Sequence, residues 1–501
     1  MEESSTSQYK GIFKSTFLFG FVQVFKILVG FIKNKVVAIL LGPEGIGIMG
    51  IFISTTNMLQ TGAGLGVSQS AVRDVSEANG SSNRARFSKI ISVTKKITLF
   101  TGLFGLLLSM VLSPWLSQWT MGDNAFTISY IFLGLAVAFN IIAEGQLAIL
   151  KGMRQLRSLA KATMLGAIVG LVTAVPLYYF FNKSGIVPAL IITALSSLIF
   201  SNYFVSKINY DKSKLSLKET YRAANPMIRM GTALMFVTFL SSMAAVIIAA
   251  YMRSKGGLED VGYYNAGMAI INTYFGVIIS ALATDYYPRI AAVNTDDKKI
   301  EAELNRQSSV SLILTSPLIV LFLVFLPWFV TLLYSSEFSP TIGFMKYAIY
   351  GTLINICSNQ IDMILVAKYK IKIFTFIAIL YRVLQVILSL VLFNSFGLIG
   401  MGISIAIMGL IHLLIMTLVV YKKFGIFYDT LFLKIGAAVL LFTLLSTCIG
   451  EISNLLWRIS LGSVLFILSV MYSIFISKKH FDINAIKFIK NKLKQTKNRD
   501  K

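Results

Sequence analysis

The stretch KILVGFIKNKVVAILLG, residues 26–42, is an apolar run long enough to cross a bilayer, and it contains three lysines. A transmembrane helix needs about 20 predominantly apolar residues, and runs of that length recur along the chain from Phe17 to Ile476. Hydrophobic residues make up 56% of the 501 residues and charged residues only 14%. Because one soluble core could not bury this much apolar surface, we interpret the chain as an integral membrane protein.

The apolar runs are separated by short polar or basic breaks, a pattern that favours membrane-spanning helices over a β-barrel. We therefore predict an all-α polytopic membrane protein with about fourteen transmembrane helices. The predicted spans are residues 15–41, 46–72, 90–113, 125–150, 160–181, 186–206, 228–252, 263–288, 308–334, 342–367, 373–394, 397–421, 430–449 and 455–476.

Lysine and arginine are distributed unevenly between the two sides of this topology. With the N-terminus placed inside, the inner segments hold 37 of the 46 basic residues, and the outer breaks hold only Lys183, Arg253, Lys255 and Arg458. Cytoplasmic loops carry such an excess, so we expect both termini in the cytoplasm. The net charge of +24 is then mainly an orientation signal with an attraction to anionic membrane lipids, and we expect no nucleic-acid partner.

The chain also resembles itself at a nearly constant offset of 215. The segment LGPEGIGIMG places Glu44 and Gly47 where GLEDVGYYNAG has Glu259 and Gly262. Each repeat contains six predicted spans, so both repeats enter the membrane in the same direction, and we expect a pseudo-two-fold axis along the membrane normal between two six-helix lobes. Further matches are Asn140 with Asn355, Leu150 with Leu365 and Arg157 with Lys372 at offset 215, Pro114-Trp115 with Pro327-Trp328 at 213, and FNKSG from Phe181 with FNSFG from Phe393 at 212.

The repeat divides the chain into regions. In the C-terminal tail, Phe481, Ile486, Ile489 and Leu493 recur at near-helical spacing among lysines, which fits an interfacial helix and a solvated basic tail equally well. The predicted regions are an N-terminal six-helix lobe (1–206), a cytoplasmic linker (207–227), a C-terminal six-helix lobe (228–421), additional helices 13 and 14 (422–476) and a basic cytoplasmic tail (477–501).

Two of the three lysines, Lys26 and Lys33, belong to one polar face, because Gln23, Lys26, Gly30 and Lys33 recur at helical spacing. At about 1.5 Å of rise per residue, Lys26 lies near the middle of the bilayer, where a charge is expected to face a water-filled interior or an anion. Lys33 and Lys35 lie nearer the outer end, where snorkelling to the interface explains them as well as ligand binding does.

Other ionisable residues fall at membrane depth on later spans. Glu144 lies in mid-span, and Asp362 and Arg382 lie at similar depth on consecutive helices. For Asp362 and Arg382 we expect a structural ion pair, with a direct role in substrate binding as the alternative. Their helical neighbours along the same faces are Asn140 beside Glu144, Asn355 and Asn359 beside Asp362, and Gln385 and Ser389 beside Arg382.

Three further ionisable residues are Asp285, Lys346 and His412. Asp285 lies at an inner end close to Arg289, where pairing with Arg289 and a gating role are both open. Lys346 and His412 are interpreted as structural. No phosphate-binding loop, zinc motif or nucleophile arrangement is found, so we expect no enzymatic activity, no cofactor and no metal site.

Several segments of the sequence resemble a known family. The segments KNKVVAILLGPEGIGIMGIF, GAGLGVSQSAVRDVSEA, EDVGYYNAG and DYYPRIAAV resemble the Wzx-type O-antigen translocases and lipid III flippases of the multidrug/oligosaccharidyl-lipid/polysaccharide exporter superfamily. The resemblance covers the first twelve spans. It implies a fold like that of the superfamily's multidrug exporters, with the last two spans as an addition.

The resemblance also implies a function. Such proteins move an undecaprenyl-pyrophosphate-linked oligosaccharide, here an O-antigen or a related surface polysaccharide unit, from the cytoplasmic to the outer leaflet of the bacterial inner membrane by alternating access. Polysaccharide polymerase machinery is a further expected partner. The expected substrate-binding residues are Gln23, Lys26, Lys33, Lys35 and Arg382, and the expected coupling or gating residues are Asp362, Glu144, Asp285 and Arg289.

Two other functions compete with this one. A glycan polymerase or ligase would also be polytopic, but such enzymes resemble one another in having a large outer loop, which this chain lacks. A cation-coupled multidrug exporter of the same superfamily is the main alternative; it would have twelve spans and an acidic lobe rather than a lysine stripe.

Overall fold

The computed structural model describes residues 2–81, 83–211 and 215–481, without the side chains of 2–24, 26, 233–234, 277–278, 280–281 and 283–285. In lipid, backbone N–H and C=O groups must be paired within the segment, which selects helices. The helices are α1 (Glu2–Gly64), α2 (Val67–Gly80), α3 (Arg84–Leu116), α4 (Thr127–Gly152), α5 (Leu156–Phe181), α6 (Ile186–Ser206), α7 (Leu217–Ala292), α8 (Asp297–Val324), α9 (Leu326–Leu333), α10 (Thr341–Ala367), α11 (Ile371–Phe424), α12 (Thr430–Gly450) and α13 (Leu455–Phe481).

The fourteen predicted spans are accounted for by these helices. Nine helical segments of the described residues are long and apolar enough to cross a membrane. Four of them contain two spans each, because their backbones break at Gly42, Asn182, Gly257 and Gly397. Helix α10, with 27 residues, adds one more. The predicted all-α polytopic fold is therefore confirmed.

The breaks in the helices occur at equivalent positions of the two sequence repeats. Gly42 has φ 64° and ψ −170°, and Gly257, its equivalent at offset 215, has φ 87° and ψ 179°. Asn182 has φ 49° and ψ −133°, and Gly397, its equivalent at the same offset, has φ 57° and ψ −141°. Positive φ values are costly for residues other than glycine, so paired occurrences at one constant offset indicate two copies of the same supersecondary unit.

The C-terminal ends of α4 and α10 repeat each other as well. Arg154 and Tyr369, which are equivalent at this offset, each have a φ of 56° just beyond the helix end. This left-handed residue allows the next amide to bond back to a carbonyl of the last helical turn. The two hydrogen bonds are Gln155 N to Leu150 O at 2.9 Å and Lys370 N to Leu365 O at 2.8 Å.

One sequence match is corrected by the backbone. The alignment of FNKSG from Phe181 with FNSFG from Phe393 implies an offset of 212, whereas Asn182 and Gly397 are equivalent at 215. Gly185 and Gly400 confirm the larger offset, because an added Cβ would meet the carbonyl oxygen of Leu177 in one case and of Leu392 in the other. The two segments share letters, but the shared letters are shifted by three residues.

A second correction concerns the predicted span 46–72. Helix α1 ends at Gly64, and Leu65 and Gly66 both have positive φ before α2 begins. A Cβ on Gly66 would lie 2.1 Å from the carbonyl oxygen of Gly231, so the backbone of α7 comes close to this turn. The short helix α2 therefore continues the chain in a new direction, and the glycines at 62, 64 and 66 were the available signal.

The Cα positions group into two compact units. Unit 1 comprises Met1–Asn265 with Leu333–Glu337, and unit 2 comprises Ala266–Leu332 with Phe338–Lys501. Within unit 2, α8 packs against α13 through polar contacts, because Ser316 and Ser469 share a hydrogen bond of 2.9 Å and Ser473 donates to the carbonyl of Ile313. The predicted boundaries of the two lobes, the linker and the tail stay predictions.

Within unit 1, the repeat-equivalent glycines Gly47 and Gly262 face each other. A Cβ on Gly47 would lie 2.0 Å from the Leu258 carbonyl oxygen, and a Cβ on Gly262 would lie 2.0 Å from the Pro43 carbonyl oxygen. Leu258 and Pro43 are themselves equivalent at offset 215. Such reciprocal contacts are the signature of a two-fold axis, so the local pseudo-two-fold axis passes between these two glycines.

Candidate functional site

The described lysines of the first span have different surroundings. Lys35 Nζ donates a hydrogen bond to the backbone carbonyl of Tyr334, and Asn34 Nδ2 donates to the Tyr334 hydroxyl at 3.1 Å. Tyr334 is buried, with 2% of its surface exposed. Lys33 is half-buried, and among the described residues it has no hydrogen-bond or ion-pair partner. Lys35 therefore ties α1 to the chain after α9, whereas the Lys33 ammonium is available to a ligand.

Three predicted site residues fall outside the described side chains. These are Gln23, Lys26 and Asp285. Their assignment to substrate binding or gating stays a prediction.

Glu144 is placed at the junction of three helices in unit 1. It lies on α4 with an exposed side chain, and Gln60 of α1 and Ser68 of α2 are its hydrogen-bonding neighbours. Lys151, two turns further along α4, adds electrostatic attraction. The break between α1 and α2 brings Gln60 and Ser68 to the same carboxyl group.

The expected ion pair between Asp362 and Arg382 is wrong. Asp362 of α10 lies 3.5 Å from Nε2 of His412, and both side chains are only 14% exposed. Arg382 instead donates to Gln385 Oε1 at 2.7 Å, one turn along its own helix, and lies 5.3 Å from the ring of Tyr381. Asp362 and Arg382 were predicted to lie at similar depth in the membrane. The side chain that contacts Asp362 is instead His412, which belongs to the part of α11 that follows the break at Gly397.

Arg289 is held in unit 2 by the next helix. Its guanidinium forms an ion pair with Glu303 and donates to Gln307 Oε1, both on α8. These contacts fix the end of α7 against α8. Pairing of Arg289 with Asp285 and a gating role of Asp285 both stay predictions, because the side chain of Asp285 lies outside the described ones.

Two further cations have structural partners. Lys346 lies 3.2 Å from Glu451 and is 20% exposed, as its structural interpretation implied. In unit 1, Arg253 donates to the carbonyls of Thr120 at 3.1 Å and Trp119 at 3.4 Å. Arg253 thus satisfies carbonyl groups in the turn that follows α3, where a helix end leaves them without partners.

A cavity of about 950 Å³ lies in unit 2 between the start of α8, the start of α12 and the end of α13. Lys298, Arg306, Asp429 and Lys479 are among its lining residues. None of the predicted site residues lines it, so it is separate from the polar positions described above.

Each unit has polar positions of its own. Unit 1 contains the Lys33 ammonium group, which has no partner among the described residues, and the carboxyl group of Glu144. Unit 2 contributes the buried pair of Asp362 and His412. A cation at membrane depth that has no partner among the described residues suits an anionic ligand, and the buried carboxyl group of Asp362 suits proton or cation exchange.

Sequence reasoning missed the contacts of three residues. It treated His412 as structural, although a histidine within the apolar span 397–421 was the available signal. It also missed Gln60 and Ser68, because helical spacing shows which residues share a face on one helix and not which faces of different helices meet.

The chain is similar to a known protein family and to two flippases. A family described as "Polysaccharide biosynthesis protein" matches residues 36–343, more than half of the chain. The lipid III flippases of Escherichia coli (strain K12) and Shigella flexneri are each 18% identical over 363 residues, which cover 69% of this chain and 83% of each flippase.

Two solved structures show the same fold. The lipid II flippase MurJ in an inward closed conformation matches with a TM-score of 0.71 at 16% identity, over 93% of this chain and 99% of MurJ. A multidrug resistance MATE family transporter of the MOP superfamily, in an inward-facing conformation, matches with a TM-score of 0.67 at 16% identity, over 80% of this chain and 94% of the transporter. The fold that the resemblance implies is confirmed.

Proposed function

We propose that this chain, which belongs to the polysaccharide biosynthesis protein family, is a flippase for an undecaprenyl-pyrophosphate-linked oligosaccharide. It moves the substrate from the cytoplasmic to the outer leaflet of the bacterial inner membrane by alternating access. The oligosaccharide is an O-antigen or a related surface polysaccharide unit. Membrane lipids surround the protein, both termini are cytoplasmic, and association with polysaccharide polymerase machinery stays a prediction.

The observation that carries the proposal is the state of Lys33. Its neighbours Asn34 and Lys35 are bonded to Tyr334, but Lys33 itself is half-buried and has no partner among the described residues. A charge at membrane depth costs a few kcal/mol unless it meets an opposite charge or water. A diphosphate supplies that opposite charge, and lysine holds an anion without requiring bidentate geometry.

The proposal assigns each polar group a role. Lys26 and Lys33, seven residues apart on α1, hold the diphosphate, and Gln23, Lys35 and Arg382 are the further proposed binding residues. The glycan occupies the polar interior while the lipid tail stays in the bilayer. Glu144, Asp285, Asp362 and Arg289 are the proposed coupling or gating residues.

The electrical gradient acts in the proposed direction of transport. Moving one negative charge outward across an inside-negative membrane is favoured by about 2.3 kcal/mol per 100 mV. An anionic headgroup therefore gains from the potential, and a cationic drug moving outward is opposed by it. The lysines lower the remaining barrier in the apolar layer by accompanying the diphosphate.

The alternative function is cation-coupled export of small molecules. It is favoured by the fold shared with a multidrug transporter and by the carboxyl groups of Glu144 and Asp362. Such an exporter would recognise a cationic or neutral substrate, for which the unpaired Lys33 offers no attraction.

One assay separates the two functions. The purified full chain is reconstituted in liposomes that contain either a labelled undecaprenyl-pyrophosphate-linked oligosaccharide or a cationic dye. We expect movement of the lipid-linked oligosaccharide between leaflets and no transport of the dye. Transport of the dye alone would establish the small-molecule exporter and overturn the flippase.

A further inference from the structure

The beginning of α8 forms one wall of the cavity in unit 2. The residues of α8 that line the cavity recur every four positions in two adjacent rows, so they share one face of the helix. The rows are Lys298, Ala302 and Arg306, and Glu301, Asn305 and Ser309. At about 1.5 Å of rise per residue, this wall is roughly 16 Å long. Its middle residue, Ala302, has a small side chain that leaves space for a ligand.

The other walls are the start of α12 and the end of α13. Asp429, which precedes α12, accepts a hydrogen bond from Phe432 N at 2.7 Å and so caps that helix. The amide of Asp429 donates to Asn305 Oδ1 at 2.8 Å, and Asn305 Nδ2 donates to the carbonyl of Phe427 at 3.0 Å. These bonds hold the start of α12 against α8, so the two walls have a fixed separation.

Positive charge predominates in this cavity. Its lining includes Lys298, Arg306 and Lys479, and none of the three has an ion-pair partner among the described residues. Two acidic residues, Glu301 and Asp429, also line the cavity. The carboxylate of Asp429 already accepts the hydrogen bond from the first turn of α12, which leaves Glu301 as the one lining carboxylate without a bond to a described residue. The cavity therefore attracts an anion.

A buried hydroxyl group lines the cavity as well. Ser309 is only 1% exposed, and its hydroxyl has no hydrogen-bond partner among the described residues. A serine within a helix often donates to the carbonyl four residues before it, as Ser311 does to Gln307 at 2.7 Å. Ser309 does not form that bond, and buried hydroxyl groups are nearly always hydrogen-bonded. Its hydroxyl is therefore a donor for an oxygen atom of a ligand.

Apolar side chains surround the same end of unit 2. Leu431 and Phe481 line the cavity, and Leu433 of α12 and Phe475 of α13 are each 59% exposed. The ammonium of Lys479 lies 5.6 Å from the centre of the Phe475 ring. A lysine whose stem follows apolar surface while its charge reaches the polar region is typical of a bilayer surface. An anionic group and apolar chains can therefore be bound side by side, and a phospholipid combines the two.

We propose that this cavity binds the headgroup of an anionic phospholipid from the surrounding bilayer. Lys298 and Arg306 hold the phosphate, Ser309 donates to one of its oxygens, and the acyl chains extend along α12 and α13. Arginine offers a planar fork of donors that matches a phosphate, and basic pockets between transmembrane helices bind such headgroups. The volume of about 950 Å³ lies within the range of about 300–1,000 Å³ found for ligand sites. Lipid binding does not depend on the proposed transport.

Lipid binding is measured by native mass spectrometry of the purified full chain, titrated in detergent with three probes. Phosphatidylglycerol is the anionic lipid, phosphatidylcholine with the same acyl chains is the zwitterionic lipid, and glycerol 3-phosphate is a soluble phosphate. We expect phosphatidylglycerol to bind at least about tenfold more tightly than either of the others. Equal affinity for phosphatidylcholine would overturn the recognition of charge. Equal affinity for glycerol 3-phosphate would overturn the assignment to a lipid.

Two double variants locate the bound lipid. Lys298→Gln with Arg306→Gln removes two cations from the cavity, whereas Lys422→Gln with Lys423→Gln removes two exposed cations from the end of α11, outside the lining. We expect the first pair to weaken phosphatidylglycerol binding at least about tenfold and the second pair to leave it nearly unchanged. Equal losses in the two pairs would show a diffuse attraction to basic surface and would overturn the site.

Ala302→Leu tests the cavity without any change of charge. Leucine is as good a helix former as most residues, and the Ala302 side chain is exposed, so we expect an unchanged melting temperature. The larger side chain fills the middle of the α8 wall, and we expect phosphatidylglycerol binding to weaken several-fold. Binding of phosphatidylglycerol to Ala302→Leu with wild-type affinity would contradict a headgroup held within the cavity.

Discussion

Gly47 and Gly262, which occupy equivalent positions in the two repeats, pack against each other backbone to backbone. A Cβ on either one would fall 2.0 Å from a carbonyl oxygen of the other's segment. Glycine permits this approach because membrane helices associate most closely where side chains are smallest. Gly50 and Asn265 repeat the relation one turn further along, so the local two-fold axis follows this contact.

Substitution of either glycine is expected to destabilise the protein. Gly47→Ala and Gly262→Ala each place a methyl group against a fixed backbone carbonyl, and we expect a loss of about 3 kcal/mol in unfolding free energy. Gly276→Ala is the control, because nothing lies within 4 Å of a Cβ built there. Thermal unfolding of the purified variants measures the difference, and three equal melting temperatures would refute the close contact.

The hydrogen bonds from Asn34 and Lys35 of α1 to Tyr334 give a second prediction. Tyr334→Phe removes the acceptor of the Asn34 hydrogen bond and leaves the Lys35 bond to the backbone carbonyl, so we expect a loss of about 1 kcal/mol. Lys35→Ala should be at least as destabilising. Tyr369→Phe serves as the matched control, because Tyr369 is 80% exposed. Stability that is equal in Tyr334→Phe and Tyr369→Phe would contradict a structural tether.

The partner of Asp362 can be identified by double-mutant cycles. Asp362→Asn and His412→Gln should be non-additive by about 1 kcal/mol, because the residues contact each other. The coupling between Asp362→Asn and Arg382→Gln should be smaller, since Arg382 bonds to Gln385. Chemical unfolding provides the free energies. A coupling larger for Arg382 than for His412 would restore the ion pair expected from the sequence.

Arg253 provides a fourth prediction. Its guanidinium bonds to two carbonyls beyond the end of α3, and lysine cannot reproduce this forked geometry. We expect Arg253→Lys to lower the unfolding free energy by about 1 kcal/mol. Lys255→Arg is the reciprocal exchange at an exposed neighbouring position and should have no effect. Similar unfolding midpoints for both variants would show that only the charge of Arg253 matters.

Particular residues show how far the sequence predicts the fold. Matches such as Leu150 with Leu365 gave the offset of 215, and the backbone obeys it at Gly42 with Gly257 and at Arg154 with Tyr369. Hydropathy located the spans because helix length is set by bilayer thickness. The register error at FNSFG arose because a three-residue shift preserves the apolar pattern.

The candidate site was less predictable. Helical spacing grouped Arg382 with Gln385 correctly, because those residues share a helix and a hydrogen bond. It could not show that His412 faces Asp362, since the rotation and depth of neighbouring helices depend on packing between them. It also gave Lys33 and Lys35 equal weight, although only Lys35 reaches the Tyr334 carbonyl.

The most direct test compares substitutions of Lys33 and Lys35, which are two residues apart in the sequence. The rate at which a labelled undecaprenyl-pyrophosphate-linked oligosaccharide moves between leaflets is measured for the reconstituted wild type, Lys33→Ala and the control Lys183→Ala at an exposed position. Because Lys33 is proposed to hold the diphosphate, its loss should slow flipping at least about tenfold while leaving the melting temperature unchanged. Lys35→Ala should instead lower the melting temperature. Flipping by Lys33→Ala at the wild-type rate would contradict the proposed role of the free ammonium group.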